Sequence, residues 1–347
     1  MSDGGDGGSR EGERTDPGGA SAVLDGVAAD GANVAIACQG GGSHTAFTAG
    51  VLRGLLRNWR EDDTLVGLSG TSGGAVNAVT AWYGLTTAGS GRACDLLDAV
   101  WDDIAAETPT ERWTNDSFVW LNRVEASGFP VPRVSPYYLP SAKRAQREFR
   151  EVIERHVDFA TIRDLCDRGD YPHLVVGTVD INGGEFETFT DQDITAEAVL
   201  ASAAVPELFP AVEIHGHYHW DGLFSQNPPV RDLMHVAPER KPDELWVVQI
   251  NPQDREGLPT SPDEIADRRN ELSGNISLNK ELRFIEQVND WVAAGRLPES
   301  EFSQTTIRRI ELDQRFDQPS KLDRSRDFLI DLMDRGEAKA EAFLAGR

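Results

Sequence analysis

Two short apolar runs, each stopped by glycines, constrain the fold of this chain more than any other feature. Asn33-Val-Ala-Ile-Ala-Cys38 leads into Gly40-Gly41-Gly42, and Thr64-Leu-Val-Gly-Leu68 leads into Gly70-Thr71-Ser72-Gly73-Gly74. Short apolar runs ending in glycines fit strands buried on both faces. Helical spacing follows each one. Phe47, Val51, Leu52, Leu55 and Leu56 share one side of residues 46–59, and 75–83 reads as the next helix. Further strands are expected at 174–181 and 186–189, as a pair, and at 245–250 and 307–312. Helices are expected at 195–205, 276–292 and 324–344. Strands alternating with helices imply an α/β fold with a mainly parallel sheet covered on both faces.

Residues 103–145 break this rhythm. Trp113, Phe118, Trp120, Phe129, Tyr137 and Tyr138 lie there among prolines and polar residues, so an irregular cap is expected between two elements of the sheet. Its rings either pack on the sheet, the plainer expectation, or present a lid or a lipid-facing surface. Residues 1–20 are rich in Gly, Asp, Glu, Ser and Arg and lack large apolar side chains after Met1, so a disordered tail is expected there. One folded body is expected to follow it, over 33–345.

Charge narrows the partners. Against 34 Lys and Arg stand 58 Asp and Glu, a net charge of −24, and only five of the basic residues are Lys. Such a surface repels itself until salt screens it, which points to a protein from a salt-loving setting. Nucleic acid is excluded as a partner, because binding it rests on neutralising phosphates. No apolar stretch reaches the length of a membrane span and no basic start precedes an apolar run, so a soluble cytoplasmic location is expected. Cys38, Cys94 and Cys166 show neither a disulfide nor a zinc spacing and read as small core residues.

The chemistry gathers at three motifs. Gly70-Thr71-Ser72-Gly73-Gly74 follows a strand and opens a helix, the setting of a nucleophile elbow. There the glycines, Gly70 and Gly73 among them, relieve a sharp turn, and the serine stands at its apex beside a helix N-terminus. The backbone N–H groups of Gly40, Gly41 and Gly42 are suited to hold the oxyanion of a tetrahedral intermediate. A dinucleotide loop would need glycine where Thr45 stands, and no Gly-Lys-Ser/Thr follows. Trp220-Asp221-Gly222 taken alone reads as a turn, and gains a role only because the serine needs a base.

Three further stretches complete the pattern: Gln39-Gly-Gly-Gly-Ser-His-Thr-Ala-Phe-Thr-Ala-Gly-Val-Leu52, Gly67-Leu-Ser-Gly-Thr-Ser-Gly-Gly-Ala-Val-Asn77, and Ala201-Ser-Ala-Ala-Val-Pro206 leading to Asp221-Gly222. With them, the chain resembles the patatin-like phospholipases. Gln249-Ile-Asn-Pro252, Ser277–Arg283 and Ser320-Lys321 extend the resemblance over about 33–345. It implies a three-layer α/β/α sandwich and a Ser–Asp dyad that hydrolyses acyl esters of lipids. The nucleophile falls on Ser72, the base on Asp221 and the oxyanion glycines on Gly40, Gly41 and Gly42. It implies no metal or organic cofactor, and a lipid or other ester substrate with transient membrane-surface contact. The chain departs from the family's pattern at His44, where a basic residue is usual, at Thr45, where glycine is usual, and at Leu223, which follows Asp221-Gly222. Intracellular polyester cleavage, or a silent lipid- or partner-binding role, are the alternative readings.

The histidines offer rival constellations. His235 alone follows Asp221 in the order of an α/β-hydrolase triad, but sits in an expected helix, 230–236. His215, His217 and His219 alternate as zinc ligands on a flat strand would, yet Gly216 argues for a turn, leaving solvated hairpin histidines as the expectation.

Overall fold

The computed structural model describes residues 31–347 apart from 127–133, 170, 207 and 317. The expected tail at 1–20 and part of the expected cap lie outside these residues. Eight strands form one mixed sheet: β1 Asn33–Cys38, β2 Thr64–Thr71, β3 His173–Asp180, β4 Glu185–Thr190, β5 Val212–Ile214, β6 His217–Asp221, β7 Glu244–Gln249 and β8 Thr306–Glu311. The pairing runs β5-β6-β3-β2-β1-β7-β8, with β4 also on β3. β2, β1, β7 and β8 run parallel, as does β3 beside β2. The β3–β4, β3–β6 and β5–β6 pairs are antiparallel.

Alternation along β1 divides the interior into two layers of packing. Val34, Ile36 and Cys38 face one core, Ala35 and Ala37 the other. The first core is closed by α1 Ala46–Arg57, α2 Gly73–Ala88, α3 Ser90–Ile104 and the last helix, Arg326–Ala345. The second is closed by Leu278, Leu282 and Ile285 of the long helix Pro262–Ala293. Helices thus cover both faces of a mostly parallel sheet, the three-layer α/β/α arrangement.

Between these lie α4 Pro109–Ala126, α5 Pro140–His156, α6 Phe159–Cys166 and α7 Ala196–Ser202, so the two helices after α7 are α8 Pro262–Ala293 and α9 Arg326–Ala345. Here the structure corrects an expectation: most of 103–145 is helical. The helix at 109–126 carries a polar anchor, Asn115, on its buried side beside Val119. Asn115 is buried, donating to Asp323 Oδ1 at 3.1 Å and accepting from Arg324 N at 2.9 Å. The rings do not all pack on the sheet either, since Trp113, Trp120 and Tyr138 face solvent. α8 begins at Pro262, well before 276. Its first turns bury Asp267, Glu271 and Asn275, four residues apart, in place of an apolar stripe. Cys38 and Cys94 are buried and Cys166 partly so.

Candidate active site

The site is made by three loops at one end of the sheet. β2 ends at Thr71, and Ser72 follows in a conformation with φ 57° and ψ −132° before α2 opens at Gly73. Positive φ in a serine costs on the order of 1–3 kcal/mol and persists only when its surroundings hold it. What holds it is Ser202, the last residue of α7. The Ser72 N–H donates to Ser202 Oγ at 2.8 Å, and that hydroxyl donates to Gly177 O at 2.7 Å. The elbow is thereby tied to β3. Gly70 lies against the backbone of Gly74, and Gly73 faces Thr45.

Register explains how Asp221 reaches Ser72. Val175, Val176 and Gly177 pair with β2 and β4 at once, and Thr178, Val179 and Asp180 with β4 and β6 at once. A strand has only two edges, so β2 and β6 occupy successive stretches of the same edge of β3. They approach from opposite directions: Thr71 ends opposite Gly177, and Asp221 ends opposite Thr178. Gly222 fits into the junction, where a Cβ would stand 2.8 Å from Gly177 O.

The Asp221 carboxyl is fully buried. Oδ1 accepts from Leu223 N at 2.9 Å, while Oδ2 has no fixed hydrogen-bond partner among the described residues. Burial pushes the carboxyl up from 3.8 to about 7. The Ser72 hydroxyl and the Leu223 N–H, which favour the anion, pull against it. The Ser72 hydroxyl favours the anion without making a fully formed hydrogen bond to this carboxyl.

The glycine loop divides into an anchor and an open part, which corrects one expectation. The Gly40 N–H is already donated to Asn227 Oδ1 at 2.6 Å, and Gly40 O accepts from Asn227 Nδ2 and Asn251 Nδ2. Gly40 is therefore an anchor and not a free oxyanion donor. It is pressed so close to the elbow that a Cβ would lie 2.7 Å from that of Ser72. The N–H groups of Gly41, Gly42 and Gly73 have no hydrogen-bond partner among the described residues. Gly42 has φ 59° and abuts the carbonyl of Lys321.

A buried polar frame supports the loop. Gln39 Oε1 accepts from Ile250 N and Asn251 N at 2.8 and 2.7 Å, and its Nε2 donates to Asn227 O and Asn275 Oδ1. Asn227 was missed at the sequence level because Asn before proline reads as a turn. Ser202, Gln39 and Asn251 lay inside the stretches that carried the resemblance, with nothing local to reveal their partners.

His44 takes the place of the family's usual basic residue. It is buried, meets Ser320 Oγ at 2.7 Å, and lies tilted against Phe316 and edge-on to Phe328. Burial first, and Lys321 second, lower its pKa to about 3, so it is neutral. His235 follows a 3-10 turn, Arg231–Met234, instead of lying in the expected helix, and is exposed beside Asp232. β5 and β6 do form a hairpin turning at His215 and Gly216. His217 pairs with Asp180 and His219 with Glu187, both at 2.6 Å. His219 is buried, contrary to the expectation of solvated histidines. Among the described residues no group of three or more His, Cys, Asp or Glu is disposed to hold a metal ion, and no helix is long and apolar enough to cross a membrane.

Comparison with solved structures finds low-identity likenesses. VipD from Legionella pneumophila aligns with TM-score 0.38 and 12% identity over 87% of this chain and 66% of its own. ExoU from Pseudomonas aeruginosa, in its complex with SpcU, gives 0.37 and 12% over 91% and 51%. Human GIVD cytosolic phospholipase A2 gives 0.29 and 16% over 46% and 22%. The chain thus spans less than two thirds of each of these proteins. No curated protein matches it. The family model for patatin-like phospholipases matches residues 36–234, more than half of the 347, and the chain belongs to the patatin-like phospholipase family.

Proposed function

We propose that this protein hydrolyses carboxylic esters of lipids through an acyl–Ser72 intermediate, with Asp221 as the base. The observation that carries the reading is the end-to-end meeting of β2 and β6 on β3, which sets a strained serine against a buried carboxyl. A carboxylate in water is too weak a base for a serine hydroxyl; one whose pKa has risen to about 7 is better matched to proton transfer near neutrality. The Ser72 Oγ attacks the ester carbonyl as its proton passes to Asp221 Oδ2, the oxygen without a fixed partner. The oxyanion settles on the N–H groups of Gly41 and Gly42, with Gly73 and the N-terminal dipole of α2 beside it. Collapse expels the alcohol, which takes the proton from Asp221. Water then attacks the acyl-enzyme, giving its proton to Asp221, and the acid leaves as Ser72 recovers its hydrogen.

Family membership supports lipid esters as the substrate class. The direct test is labelling by a fluorophosphonate, followed by turnover of an ester panel from short nitrophenyl esters to phospholipids and polyhydroxybutyrate. Labelling that requires Ser72, with phospholipid turned over, supports the reading. Absence of labelling in folded protein leaves a binding protein in its place, and polyhydroxybutyrate cleaved in preference to phospholipid leaves a polyester depolymerase.

A further inference from the structure

The stretch from Pro109 to His156 runs against the character of the chain. It contains eight of the 34 basic residues but six of the 58 acidic ones, a net charge of +2, while the remainder carries −26. It also holds the three most exposed aromatic side chains among the described residues: Tyr138 at 82%, Trp113 at 73% and Trp120 at 64%. Trp113 and Trp120 are two turns apart on one side of α4, opposite the buried Asn115 and Val119. Leu139, Lys143 and Arg147 form an exposed strip, four residues apart, at the start of α5. Arg144, Arg150 and Arg155 are paired with acidic side chains, but Lys143 and Arg147 have no ion-pair partner among the described residues.

Both helices are fastened to the rim of the site. α4 is held through Asn115 to Asp323 and Arg324, just beyond Lys321, whose carbonyl abuts Gly42. The start of α5 is held to the chain between α7 and β5: Ala211 N donates to Tyr137 Oη at 3.1 Å, and Gln146 Nε2 donates to Pro210 O at 3.0 Å. That same connection begins beside the base, where Ala204 O accepts from Asp221 N at 3.0 Å.

We propose that the exposed faces of α4 and of the start of α5 form a docking surface for an anionic lipid bilayer, set around the mouth of the site. The inference rests on the reading of the protein as a lipid ester hydrolase. Amphipathic rings are at home at the headgroup level, and unpaired Lys and Arg are drawn to anionic headgroups. The strongly negative remainder is repelled by the same bilayer, so only this face approaches closely and Ser72 is presented to the lipid. An uncharged bilayer would gain the rings but lose the orientation.

The test uses the full chain carrying Ser72→Ala, so that vesicles survive, in flotation with phosphatidylcholine vesicles with and without phosphatidylglycerol. Stronger flotation with phosphatidylglycerol is expected. Replacing Trp113, Trp120 and Tyr138 together by Ala should weaken it roughly tenfold or more. Lys143→Glu with Arg147→Glu should abolish the preference for anionic vesicles, an effect that about 1 M salt erases because the Debye length falls to about 3 Å. With Ser72 restored, the variants should cleave a soluble short-chain ester at the unmodified rate while turnover of vesicle lipid falls with binding. Equal flotation of the aromatic variant, or no preference for anionic vesicles, overturns the docking face. So does a self-association lost in the aromatic variant without any vesicle binding, which assigns the face to a second copy. Failure of the parent protein to cleave any soluble ester removes the hydrolase reading instead, and flotation still decides the surface.

Discussion

The amide of Ser72 is held by the hydroxyl of Ser202 at 2.8 Å, and Ser202 in turn is held by the carbonyl of Gly177. This clamp keeps the serine at positive φ and removes its N–H from the donors available to an oxyanion. Ser202→Ala should therefore leave a buried N–H unsatisfied and cost about 1–3 kcal/mol of stability. Because the elbow relaxes, kcat should fall while KM for a soluble ester changes little. Ser202→Thr, which keeps the hydroxyl, should recover part of kcat if its extra methyl is accommodated. Unfolding in urea and steady-state kinetics on the same preparations check both.

Ser72→Ala and Asp221→Asn should each abolish esterase turnover with the fold intact. The two groups act as one proton-transfer unit, so the double variant should be scarcely slower than either single one. Turnover near the unmodified rate in Asp221→Asn would remove Asp221 from the scheme.

The Asp221 carboxyl must be ionised to accept a proton, so kcat/KM for a soluble ester should fall as pH drops through about 7. Stability should move the opposite way. With the folded pKa above the unfolded one, the folded chain holds the extra proton between about 4 and 7. Stability from this group is thus complete at about pH 4 and below, and is lost as pH rises through about 7. A rise from 3.8 to about 7 corresponds to as much as about 4 kcal/mol. Asp221→Asn should consequently melt higher than the parent at pH 8 and not at pH 4, a comparison open to calorimetry.

Gly42→Ala places a Cβ against the Lys321 carbonyl at a φ of 59°. The loop must shift, and with it an N–H assigned to the oxyanion, so turnover should drop by about 10²–10³-fold. Gly91→Ala is the control, since a Cβ there meets nothing within 4 Å in a helix. It should leave turnover unchanged and stabilise slightly, by about 0.5–1 kcal/mol. Equal turnover in the two variants would separate Gly42 from the oxyanion.

A net charge of −24 should make stability depend on salt. Screening shortens the Debye length from about 10 Å at 0.1 M to about 3 Å at 1 M, so the melting temperature should climb over that range, with sodium and potassium chloride acting alike. Exchanging a group of exposed Asp and Glu for Asn and Gln should flatten the climb. A melting temperature constant from 0.1 M to 2 M would refute the salt-adapted reading and leave the site untouched.

What the chain determined by itself is what local rules can carry. The strand at 33–38 and the strand-to-helix turn around Ser72 were legible because burial on both faces and a glycine-flanked turn leave their marks within a few adjacent residues. The long reach of α8 and the helix at 109–126 were not, because Asp267, Glu271, Asn275 and Asn115 are buried through partners far along the chain, and a polar stripe carries no hydrophobic period. Tertiary structure alone decided that Gly40 is an anchor, since its amide is taken by Asn227, 187 residues away. It alone decided that His44 is neutral and that Trp113 and Tyr138 face solvent. Above all it placed Asp221 at Ser72: two strands remote in sequence end on adjacent rungs of β3, opposite Gly177 and Thr178. Sequence spacing cannot express that meeting, because strand register is fixed by the packing of the whole sheet and not by either strand alone.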